Sequence, residues 1–155
     1  DGTKRAVINV EEPALDRWSE LLPDPQETLD ITLYPDGKRE IRLSGIDAPE
    51  YKQPCYNAAG KAYPCGELAF RALKKMVDDS LECRSVTTDR YKREVAVCYV
   101  GGEDINRKMV SEGWAVAYTR YSDDYAPAEK EAQRAKRGIW QGRFMKPELY
   151  RALKR

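Results

Sequence analysis

The sequence predicts a single α+β domain built on a small closed β-barrel. Two stretches alternate apolar and polar residues around a tight turn and read as hairpins. Three others repeat apolar residues at helical spacing. About five strands mixed with three helices make an α+β domain, and closing the sheet on itself hides its edges most economically. The length, 155 residues, suits one compact core.

The elements follow in order. Ala6 to Val10 is a candidate strand, and Glu11 to Gln26 is polar, Pro-punctuated and without an element. Thr28 to Tyr34 alternates, Pro35-Asp36-Gly37 turns the chain, and Arg39 to Ile46 alternates again, giving the first hairpin. Glu67 to Asp79 carries Leu68, Ala69, Ala72, Leu73, Met76 and Val77 on one helical face, with Arg71, Lys74 and Lys75 on the other. Leu81 to Thr88 and Glu94 to Val100 form the second hairpin, whose midpoint between Arg90 and Tyr91 sets Cys83 opposite Cys98. Asp104 to Glu112 is a short helix with Ile105, Met109 and Val110 on one side and Gly113 as its stop. Trp114 to Thr119 is a short apolar strand. The last helix runs from Pro127 to Arg137, with Gly138 as a left-handed stop and Ala128, Ala132, Ala135 and Ile139 as a contact stripe.

Composition narrows the chemistry. The net charge is only +1, yet residues 1–50 hold 6 basic and 12 acidic side chains while residues 51–155 hold 21 and 14. An acidic third beside a basic remainder is compatible with a cation site next to an anion site, and equally with ordinary solvated surface. No histidine occurs anywhere. That excludes Ser-His and Cys-His nucleophiles, His-ligated zinc and a histidine acid/base pair, leaving carboxylates, Arg, Lys, Tyr or a hard metal. No run of ~18 apolar residues is present to span a membrane.

The four cysteines, Cys55, Cys65, Cys83 and Cys98, contain no C-x-x-C pair. A four-thiolate zinc site usually takes two ligands from neighbouring positions, and free core thiols are the other alternative. Two disulfides, Cys55–Cys65 and Cys83–Cys98, are favoured because each closes a short loop within one unit. Two bridges imply an oxidising compartment, hence a secreted or periplasmic protein whose leader is expected to have been removed.

Three clusters are candidates for chemistry. Arg42-Leu-Ser-Gly-Ile-Asp47-Ala48-Pro-Glu50 ends a strand with two carboxylates three positions apart; Thr88-Asp-Arg-Tyr91-Lys92-Arg93 forms the second hairpin's tip; Glu27 and Asp30 open the first hairpin. Each alone is ordinary surface ion pairing. Together with Asn106 through Gly113-Trp-Ala and with Gly138-Ile-Trp140, they resemble the staphylococcal nuclease family, over roughly Glu27 to Trp140. Cys55 to Gly66, the Cys83 and Cys98 pair, and Trp140-Gln-Gly-Arg-Phe144 resemble its exported bacterial branch, some of whose members are named for succinoglycan biosynthesis.

The resemblance implies an OB-fold five-stranded barrel with three helices, and a domain over 27–142 between an N-terminal extension (1–26) and a C-terminal basic tail (143–155). It implies a Ca²⁺-dependent hydrolysis of DNA or RNA by a monomer that favours single strands. Asp47, the Ala48 carbonyl and Glu27 fall on metal-ligand positions, Glu50 on the general base, and Arg42 and Arg93 on the phosphate clamp. Tyr91, Tyr118 and Lys92 fall at the substrate pocket. Two positions depart from the family pattern: Glu27 stands for an aspartate and Lys92 for a glycine. The chemistry is coherent in itself. Two guanidiniums suit a phosphodiester that gains charge as water adds, and calcium takes oxygen ligands and needs no imidazole. The alternatives are a binding module that keeps the barrel without turnover, or a structural periplasmic protein linked to exopolysaccharide production.

Overall fold

The structure, a computed structural model, describes residues 3–5 and 32–33 as backbone strands and residues 40–90, 92–118 and 123–154 in full. In chain order its strands and helices are β1 (Thr3–Arg5), β2 (Thr32–Leu33), β3 (Ile41–Leu43), β4 (Ile46–Asp47), β5 (Cys55–Tyr56), β6 (Ala62–Tyr63), α1 (Cys65–Met76), β7 (Glu82–Thr88), β8 (Glu94–Val100), β9 (Glu103–Asp104), α2 (Ile105–Ser111), β10 (Val116–Ala117), α3 (Ala126–Ala135) and α4 (Pro147–Leu153). A 3-10 turn at Gly138–Gln141 joins α3 to α4. The expected strand over Ala6 to Val10 lies outside the described residues.

The main sheet runs β1-β7-β8-β3-β2, with β9 pairing on β8. β3 lies parallel to β8 and antiparallel to β2. Period-two alternation buries Ile41 and Leu43 in the core and leaves Arg42 on the other face. The alternation from Arg39 to Ile46 predicts one strand, but Gly45, at φ 77°, turns the chain after β3. β4 therefore leaves the main sheet and pairs with β10, Asp47 opposite Val116. The expected closed barrel is corrected accordingly. Among the described residues the ladders form three open sheets, the third being β5-β6.

The β7-β8 hairpin pairs Cys83 with Cys98, and the two are bonded. Nearer the tip the pairing steps from Ser85–Ala96 to Thr87–Val95, so Val86 is an extra residue, 62% exposed. That bulge moves the turn's centre from the expected midpoint onto position 91.

The helices also differ from expectation in detail. α1 starts two residues before Glu67 and ends at Met76, where Val77 is extended. The Asp104 carboxylate caps α2 by accepting from the Arg107 amide at 2.9 Å, and Gly113, φ 83°, ends it. α3 is capped by Lys136 at φ 54° rather than by Gly138, and Ala135 is exposed. Gly138 instead allows a backbone contact. A Cβ there would overlap the Gly113 carbonyl, which accepts from the Ile139 amide at 2.8 Å. Three helices and a basic tail were expected, whereas α4 lies inside that tail. Pro147 presets its first turn, and the burial of Arg151 pins it.

The main core packs Ile41, Leu43, Leu73, Leu81, Ile105 and Met109 around the Cys83–Cys98 bridge. A smaller cluster gathers Cys55, Cys65 and Ile139 under Trp114, Trp140 and Phe144. The first bridge, Cys55–Cys65, lies in this second cluster.

Candidate functional site

The loop that follows β4 is built to hold Glu50 still. Asp47, Ala48 and Pro49 are buried, and Gln53 behind them is fully buried. The Gln53 amide donates to the Glu50 carbonyl at 2.8 Å, while the Glu50 amide donates to Gln53 Oε1 at 3.1 Å. Gln53 Nε2 donates in turn to the Met145 carbonyl at 2.6 Å. Gly66, at the start of α1, abuts the Glu50 carbonyl so closely that a Cβ would overlap it. Cys55–Cys65 joins this loop to that helix. Gln53 gave no sequence signal, because its partner lies 92 residues away.

Arg151 reaches the same place from α4. Its Nη1 and Nη2 donate to Asp47 Oδ1 and Oδ2 at 2.8 and 3.2 Å, and its Nε lies 3.6 Å from Glu50 Oε1. The Arg151 and Asp47 side chains are 6% and 4% exposed. A planar fork on a carboxylate is the strong, bidentate form of ion pair. The structure thus brings Asp47 and Glu50 together around one guanidinium. Next to it on α4, the Tyr150 phenol is pushed above its ordinary value, first by burial and then by the charge of Glu50. A sequence signal for this helix existed: proline at a first turn, Glu148 beside it, and Arg151 in the last turn.

The two expected clamp arginines lie on the main sheet. Register sets Arg42 beside Val95, and Arg93 precedes Val95 by two residues, the spacing that returns a strand to the same face. Asp89 fixes Arg93 doubly, accepting from its amide at 3.0 Å and from Nε at 2.8 Å. Arg93 is 2% exposed. Lys92 is exposed on the hairpin tip at φ 65°, the left-handed conformation for which glycine is suited. Tyr91 and Glu27 lie outside the described residues.

Tyr118 continues the β10-β4 ladder, its amide donating to the Gly45 carbonyl at 2.8 Å. It lines a cleft of about 870 Å³ with Asp47, Trp140, Arg143 and Phe144. Arginine and aromatic faces along one cleft are suited to stacked bases. A divalent cation fits less well. Among the described residues no three Asp, Glu, Cys or His side chains are grouped to hold a metal. Both oxygens of Asp47 are engaged by a guanidinium, so with α4 docked the residues present do not make a calcium site.

This arrangement has counterparts in known proteins. Residues 40–142 match the family model described as staphylococcal nuclease homologue. The succinoglycan biosynthesis protein ExoI of Rhizobium meliloti (strain 1021) is 35% identical over 106 residues, covering 64% of this chain and 54% of that protein. The thermonuclease of Staphylococcus hyicus is 32% identical over 119 residues, 71% of this chain and 68% of that one. A probable staphylococcal-like nuclease, CAN1, of Oryza sativa subsp. japonica is 38% identical over 122 residues, 76% and 34%. The chain spans about half the length of the first of these relatives. The match covers the β3–β4 strands, the Glu50 loop and the arginine hairpin in one continuous span, and on that span the chain belongs to the family of staphylococcal nuclease homologues.

Proposed function

We propose that this chain hydrolyses phosphodiester bonds of DNA or RNA. The observation that carries this is the placing of Arg42 and Arg93 at same-face positions of adjoining strands, with the Glu50 carboxylate on the loop one turn further along the chain. In this reading the guanidiniums of Arg42 and Arg93 bind the scissile phosphate and offset the charge that builds as oxygen adds to phosphorus. Glu50 accepts the proton of the attacking water, a general-base step typically giving ~10²–10⁴-fold. The phosphorus-to-leaving-oxygen bond then breaks, and the leaving oxygen takes up a proton. Tyr91, Tyr118 and Lys92 contact the nucleotides, and stacking on aromatic faces favours single strands of any sequence.

Calcium is the cation the family resemblance implies, with Asp47, the Ala48 carbonyl and Glu27 as donors, but no step above is routed through it. The same reading takes the sheets to close as an OB-type barrel in a monomer. The two disulfides support a secreted or periplasmic location.

A second reading, nucleic-acid binding without turnover, is favoured by one specific observation, the capture of Asp47 by Arg151. The deciding experiment follows degradation and binding of single-stranded DNA and RNA with calcium and with chelator, for the unsubstituted chain, Glu50→Gln and Arg42→Ala. Hydrolysis is expected only with calcium, and to fall by two or more orders of magnitude in both variants. Binding with no hydrolysis selects the second reading. An unchanged rate in Arg42→Ala removes that residue from the mechanism.

A further inference from the structure

We infer that Arg151 is the built-in cation of the acidic site, so that docking of α4 and binding of a divalent cation at Asp47 exclude one another. Three observations carry this. The Asp47 carboxylate has both oxygens on the Arg151 fork, at 2.8 and 3.2 Å, and the third guanidinium nitrogen faces Glu50 at 3.6 Å. The paired side chains are almost fully buried, 6% and 4% exposed, so a cation reaches Asp47 only when Arg151 leaves. The helix that carries Arg151 is held by little else. It is seven residues long, its buried residues are Pro147 and Arg151, and Leu149 and Leu153 are 52% and 64% exposed.

Calcium binds carboxylate oxygens directly, and a second cation placed against the same carboxylate is repelled by the first. A buried carboxylate left without a cation is costly, so one positive group or the other must stay. By linkage, whatever factor Arg151 imposes on calcium affinity, calcium imposes equally on α4 docking. In this scheme the C-terminal helix keeps the acidic site closed until calcium displaces it.

The proposal rests on the reading of Asp47 as a cation ligand, and its test uses no nucleic acid, so its failure is distinguishable from failure of the nuclease reading. Calcium chloride is titrated into the full chain while calorimetry reads the dissociation constant and amide hydrogen exchange reads residues 147–153. Calcium is expected to increase exchange across α4 at least tenfold in the unsubstituted chain. Arg151→Gln is expected to bind calcium at least tenfold more tightly, and its lowered melting temperature to recover further on adding calcium than that of the unsubstituted chain. Calcium binding with α4 equally protected overturns the inference, as does an affinity unchanged or weakened in Arg151→Gln, or no calcium binding in either protein. Should the variant fail to fold, the exchange measurement on the unsubstituted chain decides alone.

Discussion

Lys92 shows how one residue can be legible in the sequence and still be under strain. The hairpin closes with the Asp89 amide donating to the Arg93 carbonyl at 2.9 Å and the Lys92 amide donating to the Asp89 carbonyl at 3.0 Å. A three-residue loop of this kind ends in a left-handed residue, and Lys92 supplies it at φ 65°. An L-residue there costs roughly 1–2 kcal/mol, partly offset because glycine loses more chain entropy on folding. Lys92→Gly is therefore expected to stabilise the protein by up to about 1 kcal/mol, read as a higher urea midpoint at unchanged slope. A lower midpoint would show that the lysine side chain matters more than the backbone. Motif spacing placed Arg42, Asp47 and Glu50 within one turn of chain, because those residues are local to each other. Arg151 and Gln53 were not legible, since their partners lie 104 and 92 residues away and no local pattern encodes such a pair.

At the scale of elements, periodicity located each described helix of the domain but not its ends. α3 stops at Lys136 because Gly138 is committed elsewhere, to the close backbone contact with Gly113. Both glycines were visible as stops, but only packing separates a glycine that caps from one that lets two backbones touch. α2 and α3 are linked by a different device, the Tyr125 hydroxyl donating to Asp104 Oδ2 at 2.9 Å. Burial, and then this bond to Asp104, push the Tyr125 phenol well above its ordinary value of 10.0. Tyr63 and Tyr150 shift in the same direction. Raised folded values mean that the unfolded chain gives up its protons first. The contribution is thus fully present below pH 10 and is lost as pH rises above it, at no more than about 1.4 kcal/mol per pH unit for each group. Tyr125→Phe is expected to make the alkaline loss of stability shallower by one group's share, leaving the Asp104 cap on Arg107 in place. Parallel stability curves for the two proteins between pH 9.5 and 11 would show that Tyr125 titrates no differently when folded.

For the molecule as a whole, the two disulfides divide the labour. Cys83–Cys98 staples neighbouring strands inside the main core, where the sheet already pairs them. Cys55–Cys65 lies in the smaller cluster, and around it the Glu50 loop, the start of α1 and the C-terminal segment converge. Tyr56 and Arg143 exchange two backbone hydrogen bonds, at 2.8 and 2.9 Å, and Gly142 lies against Tyr56 and Asn57 with no room for a Cβ. Gln53 adds its bond to the Met145 carbonyl. The segment that carries Arg151 to Asp47 is therefore hung on the disulfide loop, which connects the shape of the acidic site to a bridge outside it. Loops of 10 and 15 residues give similar chain-entropy contributions, about 3 kcal/mol each. Replacing either pair with serines is expected to lower stability by a similar amount in chemical denaturation. The local consequences should differ. Loss of Cys55–Cys65 is expected to raise amide exchange at 142–145 and across α4 well before global unfolding, whereas loss of Cys83–Cys98 leaves those amides protected. Equal exchange at 142–145 in the two variants would mean that the C-terminal segment holds on its own contacts, and that the disulfide loop does not support it.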